Sequence, residues 1–196
     1  MPRGFTEAER ERIVSLLRRE GQKLFVRHGL KRVTVSDLAR IAHIAKGSFY
    51  SFYGSKEELY MDILDDCQRQ LYEDLDRTLA SDTRTGKQLA LNAVGWLLRN
   101  MERFPILAHT DGETIEALRR KLSGDVLDNH LKTDTSNVEK LIQYGVKFSC
   151  SPVVAAKVLQ QAALAGLQMD ADDPDRHYVI STLVEGALEK IVRDER

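Results

Sequence analysis

The stretch that decides the fold is AKGSFYSFYGSKEELY, residues 45–60. Phe49, Tyr50, Phe52 and Tyr53 crowd together, Tyr60 closes the run, and Lys46, Gly47, Ser48 and Ser51 stand between them. A buried helix has no use for the small and polar residues, and a surface helix has none for so many rings. Both are wanted by a short segment that is anchored on one side and laid against a polar partner on the other.

The residues upstream supply the context. Thr34 is placed to cap a helix with Asp37 three positions on, and Val33 with Leu38 can form the hydrophobic staple. The helix so opened, VSDLARIA, is about two turns long, and HIA after it is short enough only for a turn. Two short helices joined by a three-to-four-residue turn make a helix-turn-helix unit, in which the segment from Ala45 takes the place of the recognition helix. A longer helix precedes the pair. Thr6 and Glu9 fit a capping box, and Ile13, Leu17, Leu24, Phe25 and His28 follow a helical period with Gly21 on the same side. Gly29 is expected to stop that helix after His28.

In such a unit Phe49, Phe52 and Tyr53 anchor the segment on the first two helices, and the other face enters a major groove. Lys46 stands at the N-terminal end, near base edges and phosphates, and Tyr50 brings a hydroxyl toward a phosphate while its ring rests on sugar or a thymine methyl.

Residues 29–60, with TVSDLARIA followed by AKGSFYSFYGSKEELY, resemble the DNA-binding signature of the tetracycline-repressor (TetR) family of bacterial regulators. The resemblance implies DNA contact by Thr34, Lys46, Ser48, Tyr50, Ser51 and Lys56, with Gly47 as the position of close approach. Lys56 stands at the start of the next helix, where a positive charge opposes the macrodipole, and a phosphate nearby would explain it. Each residue also has a plainer role open to it: Thr34 as a cap, Lys46 on a solvated face, Tyr50 in the core. Two residues depart from the family pattern. His43 occupies a turn position usually held by Gly, and Ala45 replaces the Ser that commonly caps the recognition helix, a loss of roughly 1 kcal/mol.

Charge agrees with a polyanionic partner. Residues 1–56 hold 12 Lys+Arg and 5 Asp+Glu, while the rest hold 17 and 25, so a net charge of −1 conceals a basic head on an acidic body. With 42% hydrophobic and 30% charged residues the chain can build a core. It has no run of about 18 apolar residues to span a membrane. Its N-terminus is charged where a secretory signal is apolar, and Cys67 and Cys150 form no CxxC pair. A cytoplasmic protein with reduced thiols is expected.

The body reads as helix almost throughout. Ser55 and Glu58 form another capping box, opening a helix to about Ser81. KQLALNAVGWLLRNMERF has too wide an apolar stripe for a surface helix, so it is placed centrally. A helix is expected from Thr110 with Glu113 at N3, another over SNVEKLIQYGVKF, and two more opened by Ser151-Pro152 and Asp173-Pro174. Residues 153–169 are apolar nearly all round, and Ile180, Leu183, Val184, Gly186, Ala187 and Ile191 make a second such face. A four-helix dimer interface is the natural cover, monomer core the alternative, and the resemblance favours the dimer.

The expectation is an all-α protein with a three-helix DNA-binding domain at 1–54 and a larger effector-binding and dimerisation domain at 55–196. It would be a homodimeric, ligand-responsive repressor on a near-palindromic operator. A small-molecule effector would sit among Trp96, Met101, Phe104, Ile115, Leu118 and Tyr144, with His109 and Gln161 as polar handles. The other possibility for the body is a protein-interaction module without a ligand. No Gly-rich phosphate loop, HExxH or Gly-x-Ser-x-Gly motif occurs, so neither an enzyme nor a cofactor is expected. His109, Asp111 and Glu113 alternate as metal ligands can, but capping already accounts for Glu113, and no metal is expected.

Overall fold

The computed structural model describes residues 5–100, 103–108, 110, 112–124, 135, 137–167, 169–170 and 173–193. The fold is all-α. Helices α1 (Glu7–Arg32), α2 (Val35–Ile41), α3 (Lys46–Phe49), α4 (Lys56–Leu79), α5 (Gly86–Asn100), α6 (Pro105–Ala108), α7 (Gly112–Lys121), α8 (Pro152–Leu167) and α9 (Arg176–Ile191) follow in order. A further helical stretch covers 137–143. Among the described residues the one extended pairing is an isolated antiparallel bridge between Phe148 and Val192.

The chain divides into two compact units, Met1–Asp66 with Glu113–Leu122, and Cys67–Gly112 with Ser123–Arg196. The division falls inside α4 and gives α7 to the first unit.

In the first unit, capping sets the helix starts. Thr6 and Glu9 make a reciprocal box at α1, and Thr34 and Asp37 make another at α2. Gly29, with φ 74° and ψ 157°, is non-helical and breaks the helical run after His28, and the chain then takes one more turn to Arg32. Leu17, Phe25, Leu38, Phe49, Leu59 and Ile63 form the interior. Gly21 is where α2 and α4 come close: a Cβ there would meet Leu38 and Leu59 at 3.5 Å and Ile63 at 3.7 Å. Those are ordinary contacts, so the site welcomes glycine without requiring it. At α4 the expected box is only half formed. Ser55 Oγ accepts from Glu58 N at 3.1 Å, while the Glu58 carboxylate accepts from Gly54 N at 2.8 Å.

In the second unit, α9 packs against α8 and α5. Their shared core is Leu89, Ala90, Ala93, Val94, Ala155, Ala156, Val184 and Leu188, joined by Leu75, Leu79, Val138 and Leu141. The small side chains let the helices approach closely. α7 begins at Gly112, and the Thr110 hydroxyl before it donates to Ile106 O at 2.7 Å. Two expected elements differ. The helix expected over 136–148 stops at Tyr144–Gly145, where Gly145 has φ 91°, and the next residues pair with the C-terminal end of α9. Asp173-Pro174 forms a turn in which Asp173 accepts from Asp175 N at 2.8 Å, and α9 begins at Arg176. Ser151 and Pro152 do open α8.

Candidate nucleic-acid interface

The turn and the segment after it are built as their residues dictate. His43 is the one non-glycine with positive φ among the described residues, at 56°, the region histidine tolerates better than most residues. Ala45 is the N-cap of α3 and supplies no side-chain hydrogen bond. α3 is a single turn, extended by bonds from Ser51 N to Ser48 O and from Phe52 N and Tyr53 N to Phe49 O.

Anchoring divides the aromatics. Phe49 is fully buried, and Tyr50 stands edge-on to it at 5.7 Å with 55% of its surface exposed. Phe52 is half-buried, with Phe5 5.4 Å away and the Arg10 guanidinium 4.8 Å from its centroid. Tyr53 Oη donates to Asp62 Oδ2 at 2.5 Å, and Arg18 holds the same carboxylate in a bidentate grip at 2.6 and 2.7 Å. Burial pushes the Asp62 pKa up, but the hydrogen bonds from Arg18 and Tyr53 outweigh it and hold the carboxyl below its ordinary value. Burial and then the Asp62 carboxylate push the Tyr53 hydroxyl well above its own. The reading segment is thus tied to α1 and α4 by a charge-assisted triad.

The expected contact residues separate under this geometry. Lys46 and Gly47 are exposed, and among the described residues Lys46 makes no ion pair or hydrogen bond. A Cβ at Gly47 would meet nothing within 4 Å, and its φ is not positive. A helical glycine costs roughly 1 kcal/mol against alanine, and nothing inside the chain calls for this one. Ser48 is half-buried, and Ser51 Oγ donates to Ser48 O at 2.8 Å.

Thr34 and Lys56 are committed elsewhere. The Thr34 hydroxyl and backbone N–H both donate to Asp37 Oδ2, at 2.6 and 3.1 Å, which leaves no donor for a phosphate in this conformation. Lys56 Nζ donates to Leu30 O at 2.7 Å, Lys31 O at 3.2 Å and Val33 O at 2.7 Å. All three ammonium donors close the last turn of α1. The charge that looked misplaced at the start of α4 sits at the carbonyl end of another helix, where the dipole favours it. No phosphate is needed to explain it. Arg10, Arg18 and Asp62 escaped the sequence reading because their partners lie 41 and 44 residues away, and no local pattern records such a pairing.

The expected effector residues fall in both units. Trp96 and Tyr144 lie half-buried against the core of the second unit. Phe104 is buried there, and Gln161 is exposed on α8. Ile115 and Leu118 are on α7, in the first unit. Met101 and His109 lie outside the described residues, as does Asp111. Among the described residues no three His, Cys, Asp or Glu side chains gather as a metal site requires. Cys67 is buried and Cys150 half-buried, both as free thiols. No described helix is long and apolar enough to cross a membrane.

A one-turn helix after a left-handed turn, anchored by its rings and offering Lys46, Gly47 and Tyr50 outward, is the arrangement of a DNA-reading head. Residues 18–63 match the family model of the bacterial regulatory proteins of the tetR family. The chain carries a TetR-family DNA-binding domain. No curated protein matches it in sequence.

The TetR-type fold extends over nearly the whole chain. A TetR-family transcriptional regulator from Pectobacterium atrosepticum superposes with a TM-score of 0.65 at 18% identity, covering 98% of this chain and 100% of that one. SmeT, the repressor of the Stenotrophomonas maltophilia multidrug efflux pump SmeDEF, gives 0.61 at 19%, covering 94% and 91%. FadR from Thermus thermophilus, a transcriptional repressor in complex with lauroyl-CoA, gives 0.60 at 20%, covering 95% and 97%. At these identities the likeness speaks for the fold. The TetR-family head speaks for a transcriptional regulator.

Proposed function

We propose that the protein is a homodimeric, ligand-responsive repressor that grips a near-palindromic operator through two α3 segments. The observation that carries this is the division of roles on one short segment. Phe49, Phe52 and Tyr53 face the head, while Lys46, Gly47 and Tyr50 are left outward. Lys46 and Tyr50 are the main DNA contacts, Gly47 lets the backbone approach, and Ser48 and Ser51 add hydroxyls. Thr34 and Lys56 act behind them, as a cap and a clamp.

Dimerisation is supported by the exposed apolar residues of the late helices, Val153 and Val154 on α8 and Tyr178 and Leu183 on α9. A two-fold pairing of these helices would cover them and space the heads by a helical turn of DNA or a multiple. Val184 and Ile191 do not belong to that face, because they are buried in the monomer's own core. Leu164 lies outside the described side chains.

A small-molecule effector is supported by the fold likeness to a repressor holding lauroyl-CoA. Its site lies in the second unit beside Trp96 and Tyr144, with Phe104 and Gln161 as further candidates. Bound there, it would favour a dimer geometry that cannot reach both half-sites.

The test is enrichment of a random-sequence DNA pool by the purified full chain. A near-palindromic duplex should emerge, and log K against log salt should fall with a slope of roughly −7 if the dimer neutralises about eight phosphates. Enrichment of no sequence, or no loss of affinity in Lys46→Ala/Tyr50→Ala, overturns the operator reading.

A further inference from the structure

The reading segment is too short to hold its own shape. One helical turn orders several dihedrals for a single bond, so α3 does not persist by itself. Its N-cap offers no acceptor, so support must come from its other end. There, Ser48 O and Phe49 O are satisfied within the segment. Ser51 O is satisfied by α1: Arg10 Nη2 donates to it at 3.0 Å. The same guanidinium lies over Phe52 at 4.8 Å, and Phe5 adjoins that ring at 5.4 Å. A cation thus stands at the carbonyl end of the segment, where the peptide dipoles favour it, with its planar group resting on an aromatic face.

We propose that Arg10 is a positioning residue for operator binding. By capping Ser51 and lying on Phe52, it fixes the orientation in which α3 presents Lys46 and Tyr50, without itself touching DNA. The Tyr53–Asp62–Arg18 triad holds the following residue against α4. Two arginines of α1 therefore grip the base of the segment and leave its N-terminal end clear. Orientation matters most where base edges are read. Contact with phosphates alone tolerates looser placement. Loss of Arg10 should therefore cost discrimination rather than general affinity.

This rests on the operator reading, and its test separates the two. The probes are a duplex enriched by the wild-type chain from a random pool and a random-sequence duplex of equal length. Arg10→Ala should lower affinity for the enriched duplex by about tenfold and leave the random duplex within about twofold. The salt slope should be unchanged. Arg10→Lys should recover part of the loss, since an ammonium can cap the carbonyl but has no plane to lay on the ring. In the free Arg10→Ala protein, amide exchange should quicken at residues 51–53 and stay constant along α4. Equal losses on both duplexes, with a slope flatter by about one per subunit, would make Arg10 a phosphate contact and overturn the proposal. Unchanged discrimination by a folded Arg10→Ala protein, or no recovery with Arg10→Lys, overturns it too. Failure of the wild type to enrich any duplex defeats the operator reading instead, and this proposal with it.

Discussion

Among the described residues of the unit built from 1–66 and 113–122, the large apolar side chains left exposed are Phe5 and Tyr50. In the other unit they are Ile142, Val153, Val154, Tyr178 and Leu183, four of them on α8 and α9. The head joins distant helices with polar groups aimed at its reading segment: Arg10 on Ser51, Tyr53 and Arg18 on Asp62, Lys56 on the end of α1. The body joins its helices through alanines, leucines and valines, and its ion pairs, such as Arg103–Asp74 at 2.8 Å, lie toward the surface. The contrast teaches that the head spends its polar groups on fixing one short segment, whereas the body packs through apolar contacts and leaves apolar side chains of α8 and α9 exposed.

The largest effect that can break this contrast lies on neighbouring residues of α9. Val184→Glu buries an unpaired carboxylate at a position 4% exposed and should cost roughly 4 kcal/mol, seen as loss of the unfolding transition at physiological temperature. Leu183→Glu, at a position 42% exposed, should leave a folded chain that sediments as a monomer. A folded dimer of Leu183→Glu at micromolar concentration would mean that the exposed face is not the interface.

Lys56→Met comes next. Removing three charge-assisted hydrogen bonds at the end of α1 should cost about 2 kcal/mol in urea denaturation. Its salt slope on DNA should match that of wild type. A flatter slope with unchanged stability would return Lys56 to the DNA contacts.

The Asp62 triad predicts a smaller effect that depends on pH. The folded pKa of Asp62 is depressed, so its contribution is complete above the ordinary value of 3.8 and fades as the pH falls below it. Asp62→Asn should lower the melting temperature near neutral pH and shrink its decline below pH 3.8. Tyr53→Phe, which removes one hydroxyl, should cost about 1 kcal/mol. An acid decline of undiminished size in Asp62→Asn would assign it to other carboxylates.

The smallest effects sharpen the contrast with one substitution made twice. Gly21→Ala and Gly186→Ala should each stabilise their helix by up to about 1 kcal/mol, because neither new Cβ meets an atom closer than 3.5 Å within the chain. Only Gly186→Ala should weaken dimerisation in dilution experiments. Equal dimer affinity for the two variants would place Gly186 away from the interface.

Much of the head was legible because its signals are local. Thr6 and Thr34 announced helix starts through bonds that reach only three residues, as Ser151 did in the body. The turn at His43 and the uncapped Ala45 were readable from position alone. Asp173-Pro174 misled because a start signal and a turn signal share the same residues, and the chain took the turn. The run to Phe148 looked helical by period, but Gly145 with φ 91° and the bridge to Val192 ended it earlier. Val184 and Leu183 show the limit of periodicity. Both lie on a helix with apolar residues on several sides, and only packing against α8 and α5 shows which of them the monomer buries.

By itself, then, the sequence determined the all-α fold and the TetR-type head, since capping, period and motif act within a few residues. Tertiary structure alone decided that the Lys56 ammonium meets the carbonyls at the end of α1, that Arg10 bonds Ser51 and Arg18 and Tyr53 share Asp62, and that Ile115 and Leu118 belong with the head's unit. Those outcomes depend on which donors and surfaces meet across dozens of residues. That is a matter of folded geometry, for which composition and spacing carry no record.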